Sequence, residues 1–268
     1  MTRDVQVMGI LNITPDSFSD GGTCTTESEL EARIAQLLAD GADCIDVGGE
    51  STRPFAQPVS VAEELARVLP AIRKIRAHSG AIPLSIDTTK AVVAREALAA
   101  GATLVNDISA LRADPEMVGV IRSYAGPVII MHMQGSPGDM QICPAYGDVV
   151  AEINAFLAER IRWMEQQGIE HGRIVIDPGI GFGKTLEHNL TILRNIQAFE
   201  QHGCPVLIGH SPKGFLGKVL DVPIDERDRP TTVVSAFCAL HGADILRVHD
   251  VRANRQAVQL MSVLMGAP

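Results

Sequence analysis

Val5-Gln-Val-Met-Gly-Ile-Leu11-Asn12-Ile-Thr-Pro15-Asp16-Ser17-Phe18-Ser19-Asp20-Gly21-Gly22 runs from an apolar segment straight into a polar, glycine-ended loop. Residues 5–11 have the length and side chains of a strand. Pro15 and the Gly21-Gly22 pair break regular structure, while Asn12, Asp16, Ser17, Ser19 and Asp20 crowd polar groups just past the strand end. Taken alone, the segment suits either an ordinary turn or a working loop, so the rest of the chain decides.

The same phrase recurs along the sequence. Residues 44–47, 83–86, 103–105, 127–131, 173–176, 205–208 and 244–248 are short apolar runs followed by polar or glycine-rich positions. Between them, helical spacing predicts helices over 26–40, 61–78, 90–100, 115–124, 148–167 and 188–201, with a last pair bracketing 244–248. A long loop, 132–146, follows the fifth strand. Strands that are mostly apolar rather than alternating suit a parallel sheet whose outer face is covered. Eight strand–helix cycles in 268 residues, without a linker or composition shift, predict one α/β domain over 1–268, closed as a (β/α)8 TIM barrel. An open doubly wound sheet is the alternative architecture.

The composition narrows the class of partner. A net charge of −9 argues against a general nucleic-acid or anionic-membrane surface and leaves room for a local arginine cluster holding a small anion. No apolar run approaches the roughly 20 residues that span a bilayer, and no basic-then-apolar leader opens the sequence, so a cytoplasmic location is expected. Cys24, Cys44, Cys143, Cys204 and Cys238 are odd in number and scattered, which suggests neither a disulfide framework nor a zinc knot.

In a barrel the loops after the strands gather at one mouth, and Asn12, Arg53, Asp87, Asn106, His132, Asp177, Lys213, Arg247 and His249 all fall at or just after strand ends. Asp87, Asn106 and Asp177 suit the adjacent N–H groups of a flat heterocycle, with Lys213 as a complementary donor. Arg247 and His249, two apart, suit an anion that Arg53 could join, because guanidinium matches phosphate oxygens in a bidentate fork. Asn12 offers a neutral oxygen to a Mg²⁺ ion carried by such a phosphate. The Gly179-Ile-Gly181-Phe-Gly183-Lys184-Thr185 run is no P-loop, since Pro178 stands where the first glycine belongs, and Lys184 spoils a dinucleotide fingerprint. A metal-dependent hydrolase built on His132, His210 and His249 with Asp87 or Asp177 is a further alternative, without any paired H-x-H or H-E-x-x-H to favour it.

The ordered set Gly9-Ile-Leu-Asn-Ile-Thr-Pro-Asp-Ser-Phe-Ser-Asp-Gly-Gly22, Asp46-Val-Gly-Gly-Glu-Ser-Thr-Arg-Pro54, Ser85-Ile-Asp-Thr88, Asn106-Asp107, Met131-His-Met-Gln-Gly135, Asp177-Pro-Gly-Ile-Gly-Phe-Gly-Lys184 and Arg247-Val-His-Asp-Val251 resembles the dihydropteroate synthase family over nearly the whole chain. The resemblance implies a transferase that joins 7,8-dihydropterin-6-ylmethyl diphosphate to p-aminobenzoate, giving dihydropteroate and pyrophosphate. It implies that Asp87, Asn106, Met131, Asp177, Phe182, Gly209 and Lys213 surround the pterin. Asn12, Thr52, Arg53, Arg247 and His249 would hold the diphosphate, with Mg²⁺ as cofactor and Asn12 its protein ligand. Phe18, Pro54, Phe55, Phe182, Lys213 and Gly214 would form the p-aminobenzoate slot beneath two loops, 13–23 and 49–60. Among the catalytic set Asp16, Asp20, Lys213, Arg247 and His249, Asp16 or Asp20 is expected to stabilise the amine cation after attack. Homodimers through the outer helices are implied as well.

Two positions depart from the family pattern. The family's Ser-Arg-Lys-Ser reads Ser211-Pro212-Lys213-Gly214 here, and Phe55 replaces a glycine after Pro54. Both are expected to reshape the aryl-amine slot and leave pterin recognition intact. A pterin-binding methyltransferase-like domain, a paralogue using another arylamine and a non-catalytic pterin-binding protein are the alternative functions.

Overall fold

The computed structural model describes residues 4–13, 27–51, 57–211, 214–223 and 226–266. Eight strands alternate with helices: β1 (Gln6–Asn12), α1 (Glu27–Ala39), β2 (Cys44–Gly48), α2 (Val61–His78), β3 (Leu84–Asp87), α3 (Ala91–Ala99), β4 (Leu104–Asp107), α4 (Met117–Ser123), β5 (Val128–Met131), α5 (Val149–Gln166), β6 (Ile174–Asp177), α6 (Leu186–Arg194), β7 (Leu207–Gly209), α7 (Gly214–Leu220), α8 (Asp228–Leu240), β8 (Ile245–Val248) and α9 (Val251–Leu264). All strand pairs are parallel, in the order β6-β5-β4-β3-β2-β1-β8-β7. The Ile176–Val206 bridge joins the two ends of that order and closes the (β/α)8 barrel.

A strand's side chains alternate sides, so each strand serves two cores at once. Its outward residues, such as Ile45, Val47, Ile86 and Val105, join the buried faces of the helices, including Val68, Ile72 and Ile75 of α2. Each such fully buried side chain contributes about 1.5–3 kcal/mol. The inward residues Met8, Cys44, Leu104, Ile129, Val175 and Leu207 form a separate apolar plug inside the barrel, with Ile245 packed against it.

Caps set several helix starts as the polar residues before them suggest. Asp148 accepts from the backbone N–H of Val150 and Ala151 at the start of α5, and Thr185 caps α6 in a reciprocal pair with His188. Two expectations about helices change. The single helix over 188–201 is instead α6 followed by a 3-10 segment, Ile196–His202. Asn195 makes the break, its side-chain amide donating to the Thr191 carbonyl at 2.8 Å while its own backbone leaves helical geometry. A short helix, α7, also precedes α8, anchored by buried Phe215 and Leu216.

Candidate functional site

The apolar plug determines what stands above it. Two residues further along seven of the strands lie Asp46 after Cys44, Asn106 after Leu104, Met131 after Ile129, Asp177 after Val175, Gly209 after Leu207 and Arg247 after Ile245, with Asp87 likewise after Ser85, while β1 has Ile10 after Met8. The period of two therefore lifts a ring of polar and slender residues onto the plug at the C-terminal end of the barrel, where barrel enzymes keep their chemistry.

Arg247 is the hub of that ring. Its Nε donates to Asp46 Oδ2 at 2.6 Å, Nη2 lies in ion-pair contact with the same oxygen at 2.6 Å, and Nη2 donates to Asp87 Oδ2 at 2.7 Å. Asn106 Nδ2 donates to the same Asp46 oxygen at 3.3 Å. Asp46 is completely buried and its Oδ1 meets no hydrogen-bond partner among the described residues. Burial pushes the Asp87 carboxyl up to about 7; Arg247 opposes this, while the charges of Asp46, Glu64 and Asp107 add to it. The guanidinium is held charged by the carboxylates of Asp46 and Asp87, with Asp177 contributing, against the cost of its own burial. Sequence reasoning overlooked Asp46, which sits inside Cys44-Ile-Asp-Val47 and reads there as strand.

Across the ring, Asp177 Oδ1 accepts from the Gly179 backbone at 2.7 Å, which fixes the carboxylate at the end of β6. Met131 and Phe182 belong to a buried apolar wall with Ile108, Met133 and Met140. Two of the three glycines beside Phe182, Gly179 and Gly183, serve close approach between loops. A Cβ on Gly179 would lie 2.0 Å from the His132 carbonyl oxygen and one on Gly183 2.3 Å from that of Gln134, and both have positive φ. Lys184 is buried beneath, its Nζ donating to the carbonyls of Phe182 and His132 at 2.9 and 3.2 Å. Gln141 and Tyr146 add bonds to the Gly181 and Gly183 carbonyls. The long loop 132–146 and the glycine run thus form one braced wall.

The histidines do not converge. Burial, then the charges of Lys184 and Arg112, lowers the His132 pKa to about 3, and its ring packs edge-on against Phe156. His210 is buried against Ser235 and the Thr231 carbonyl. His249, one residue past β8, has Nδ1 3.4 Å from Ser211 Oγ and its carbonyl bound by Arg33. No group of three His, Cys, Asp or Glu residues able to hold a metal occurs among the described residues. The hydrolase alternative therefore loses its ligand set.

Asn12 ends β1 beside Gly48, where its Oδ1 stands 3.4 Å from the position of a Cβ on that glycine. Both flanks of the 49–60 loop are tied down. Lys90 pairs with Glu50 and Glu64, Glu50 accepts from the Val59 N–H, and Arg67 donates to the Gly49 carbonyl. Asp16, Phe18, Asp20, Thr52, Arg53, Pro54, Phe55, Pro212 and Lys213 lie outside the described residues, and Gly214 opens α7. The described part of the site thus places Asn12, Asp87, Asn106, Met131, Asp177, Gly209, Arg247 and His249 at or next to strand ends on one side of the barrel, with Phe182 in the loop after β6.

Residues 8–249 match the family model described as pterin binding enzyme. A dihydropteroate synthase of Synechocystis is 44% identical over 260 residues, covering 96% of this chain and 89% of that protein. The chain belongs to the dihydropteroate synthase family. Among solved members of that family, the Yersinia pestis enzyme in complex with a sulfonamide drug superposes with a TM-score of 0.94 at 40% identity, covering 99% of this chain and 95% of that one. The Xanthomonas albilineans dihydropteroate synthase in complex with 7,8-dihydropteroate gives 0.88 at 41% identity, covering 98% and 95%.

Proposed function

We propose that the mouth of this barrel joins the methylene carbon of 7,8-dihydropterin-6-ylmethyl diphosphate to the amine of p-aminobenzoate, forming dihydropteroate and releasing pyrophosphate. The observation that carries this reading is the ring on the plug: acceptors Asp87 and Asp177 and the amide of Asn106 stand toward the C-terminal ends of their strands beside the half-buried cation Arg247. Such a ring offers a flat heterocycle its acceptors and an adjoining anion its counter-charge. Met131 and Phe182 give the ring system an apolar wall, and Gly209 leaves space for it.

The chemistry needs no strong general base. Bond cleavage at the methylene leaves positive charge that the conjugated pterin spreads, while Arg247 and His249, with Arg53 and Thr52, stabilise the departing diphosphate. The arylamine is neutral at pH 7 and attacks directly; Phe18, Pro54, Phe55, Phe182, Lys213 and Gly214 are the residues proposed to receive it. Asp16 or Asp20 then stabilises the arylammonium formed, which releases its proton to water to give dihydropteroate. Asn12 would hold Mg²⁺ through its neutral side-chain oxygen, and among the described residues no group of three His, Cys, Asp or Glu forms a resident cage. Mg²⁺ would supply charge neutralisation of the leaving group.

Gly209 provides a direct check on the ring's seat. A Cβ added there meets Asp177 Oδ2 at 3.7 Å and Arg247 Cδ at 3.9 Å, ordinary contacts that the free protein accepts. Gly209→Ala is therefore expected to melt like the parent and to bind a pterin ring ~10–100-fold more weakly, the equivalent of ~1–3 kcal/mol of overpacking. Calorimetric titration alongside thermal melting reads both quantities.

A homodimer fits the outer surface. Val233, Phe237 and Leu240 of α8, with Leu260, Val263 and Leu264 of the adjoining α9, are exposed apolar side chains on neighbouring helices. No helix among the described residues is long and apolar enough to cross a membrane, and a cytoplasmic enzyme is the reading that fits its substrates. Supplying the purified chain with both substrates and Mg²⁺ tests the function: dihydropteroate and pyrophosphate should appear in equal amounts. Pterin binding without either product would refute it.

A further inference from the structure

We infer that Asp46 is the positioning residue of this site, anchoring Arg247 permanently so that Asp87 can be given up to the substrate. The inference rests on the reading that Asp87 and Asn106 meet the pterin and Arg247 the diphosphate. One guanidinium faces two carboxylates, and the two are not equivalent. Asp46 is fully buried at the base of the ring, lies 2.6 Å from two Arg247 nitrogens and also holds Asn106. Asp87 is nearer the mouth, receives only Nη2, and ends β3 where a ligand reaches it.

When a pterin N–H takes the Asp87 oxygen, the guanidinium loses one partner. Asp46 keeps it charge-balanced and on the floor of the barrel, with Nη1, which forms no hydrogen bond among the described residues, available to the diphosphate. Without the Asp46 charge, Arg247 would close on Asp87 alone and compete with the pterin for it. Asp46 thus acts through Arg247 and needs no contact with substrate.

The test is a double-mutant cycle on the intact chain, with Asp46→Asn, Arg247→Met and the pair, read by calorimetric titration with 6-hydroxymethylpterin, which has the ring and no diphosphate. Asp46→Asn is expected to weaken ring binding at least tenfold in the parent and less than threefold in the Arg247→Met background. In turnover it should raise KM for the pterin diphosphate and leave KM for p-aminobenzoate unchanged. Equal losses in both backgrounds, or rises in both KM values, would mark Asp46 as a merely structural residue and overturn the inference. Should Asp46→Asn fail to fold, the parent crystallised with 6-hydroxymethylpterin decides. Arg247 still on Asp46, with Asp87 turned to the ring, supports the inference; a guanidinium that has left Asp46 overturns it. A parent chain that binds no ring refutes the proposed function itself, a different result from either.

Discussion

Replacing Arg247 with methionine should destabilise the fold by about 3–5 kcal/mol, the cost of removing one partner from a buried charge cluster. Asp46 loses its ion-pair partner while completely buried, and Asp87 loses the cation that opposes its burial. The pH dependence carries a sign. The Asp87 carboxyl already titrates at about 7 in the folded protein, well above the ~3.9 of an unfolded aspartate, so the native state holds a proton that the unfolded chain releases. Stability therefore falls as pH rises from ~4 to about 7 in the parent and levels off above it. Without Arg247 the proton is retained to higher pH, and the decline continues past 7. Urea melts at pH 6 and pH 8.5 should show the gap between parent and variant widening with pH. A constant gap would mean that Arg247 does not neutralise Asp87.

Asp177→Asn should leave the fold intact and remove most of the pterin affinity. Its Oδ1 accepts the Gly179 N–H at 2.7 Å, and the asparagine oxygen can replace that bond, which leaves the NH₂ where the second carboxylate oxygen now faces the mouth. A donor then meets the N–H edge of the pterin. Losing one or two hydrogen bonds to a charged acceptor, ~1.5–3 kcal/mol each, corresponds to ~10–10⁴-fold weaker binding. Titration with the ring and a melting curve separate the two effects. Near-parental affinity in a folded Asp177→Asn variant would move the ring elsewhere.

The barrel was legible in the sequence because its strands are short, apolar and punctuated by polar loops, a rhythm that helices between parallel strands impose. The ring was legible where its members end strands: Asp87, Asn106 and Asp177 announce themselves by following an apolar run. Asp46 did not, because β2 runs two residues further, to Gly48, and places its carboxylate in mid-strand. The sequence excluded a P-loop at Lys184 but gave the lysine no other role, and its ammonium is spent on the carbonyls of Phe182 and His132. Gly214 and Gly217 hid α7 by lowering its helical propensity, and only the burial of Phe215 and Leu216 against the barrel makes that helix. The break at Asn195 depends on a side-chain bond to Thr191 that periodicity cannot register. Tertiary context decided each of these.

A crystal structure of the chain with 7,8-dihydropteroate bound is the most direct test of the claim that the ring above the apolar plug seats the pterin. The account requires the pterin edge within hydrogen-bond distance of Asp87, Asn106 and Asp177, its face against Met131 and Phe182, and its methylene toward Arg247 and His249. A ligand bound with its pterin away from Asp177 and Asn106 would contradict it.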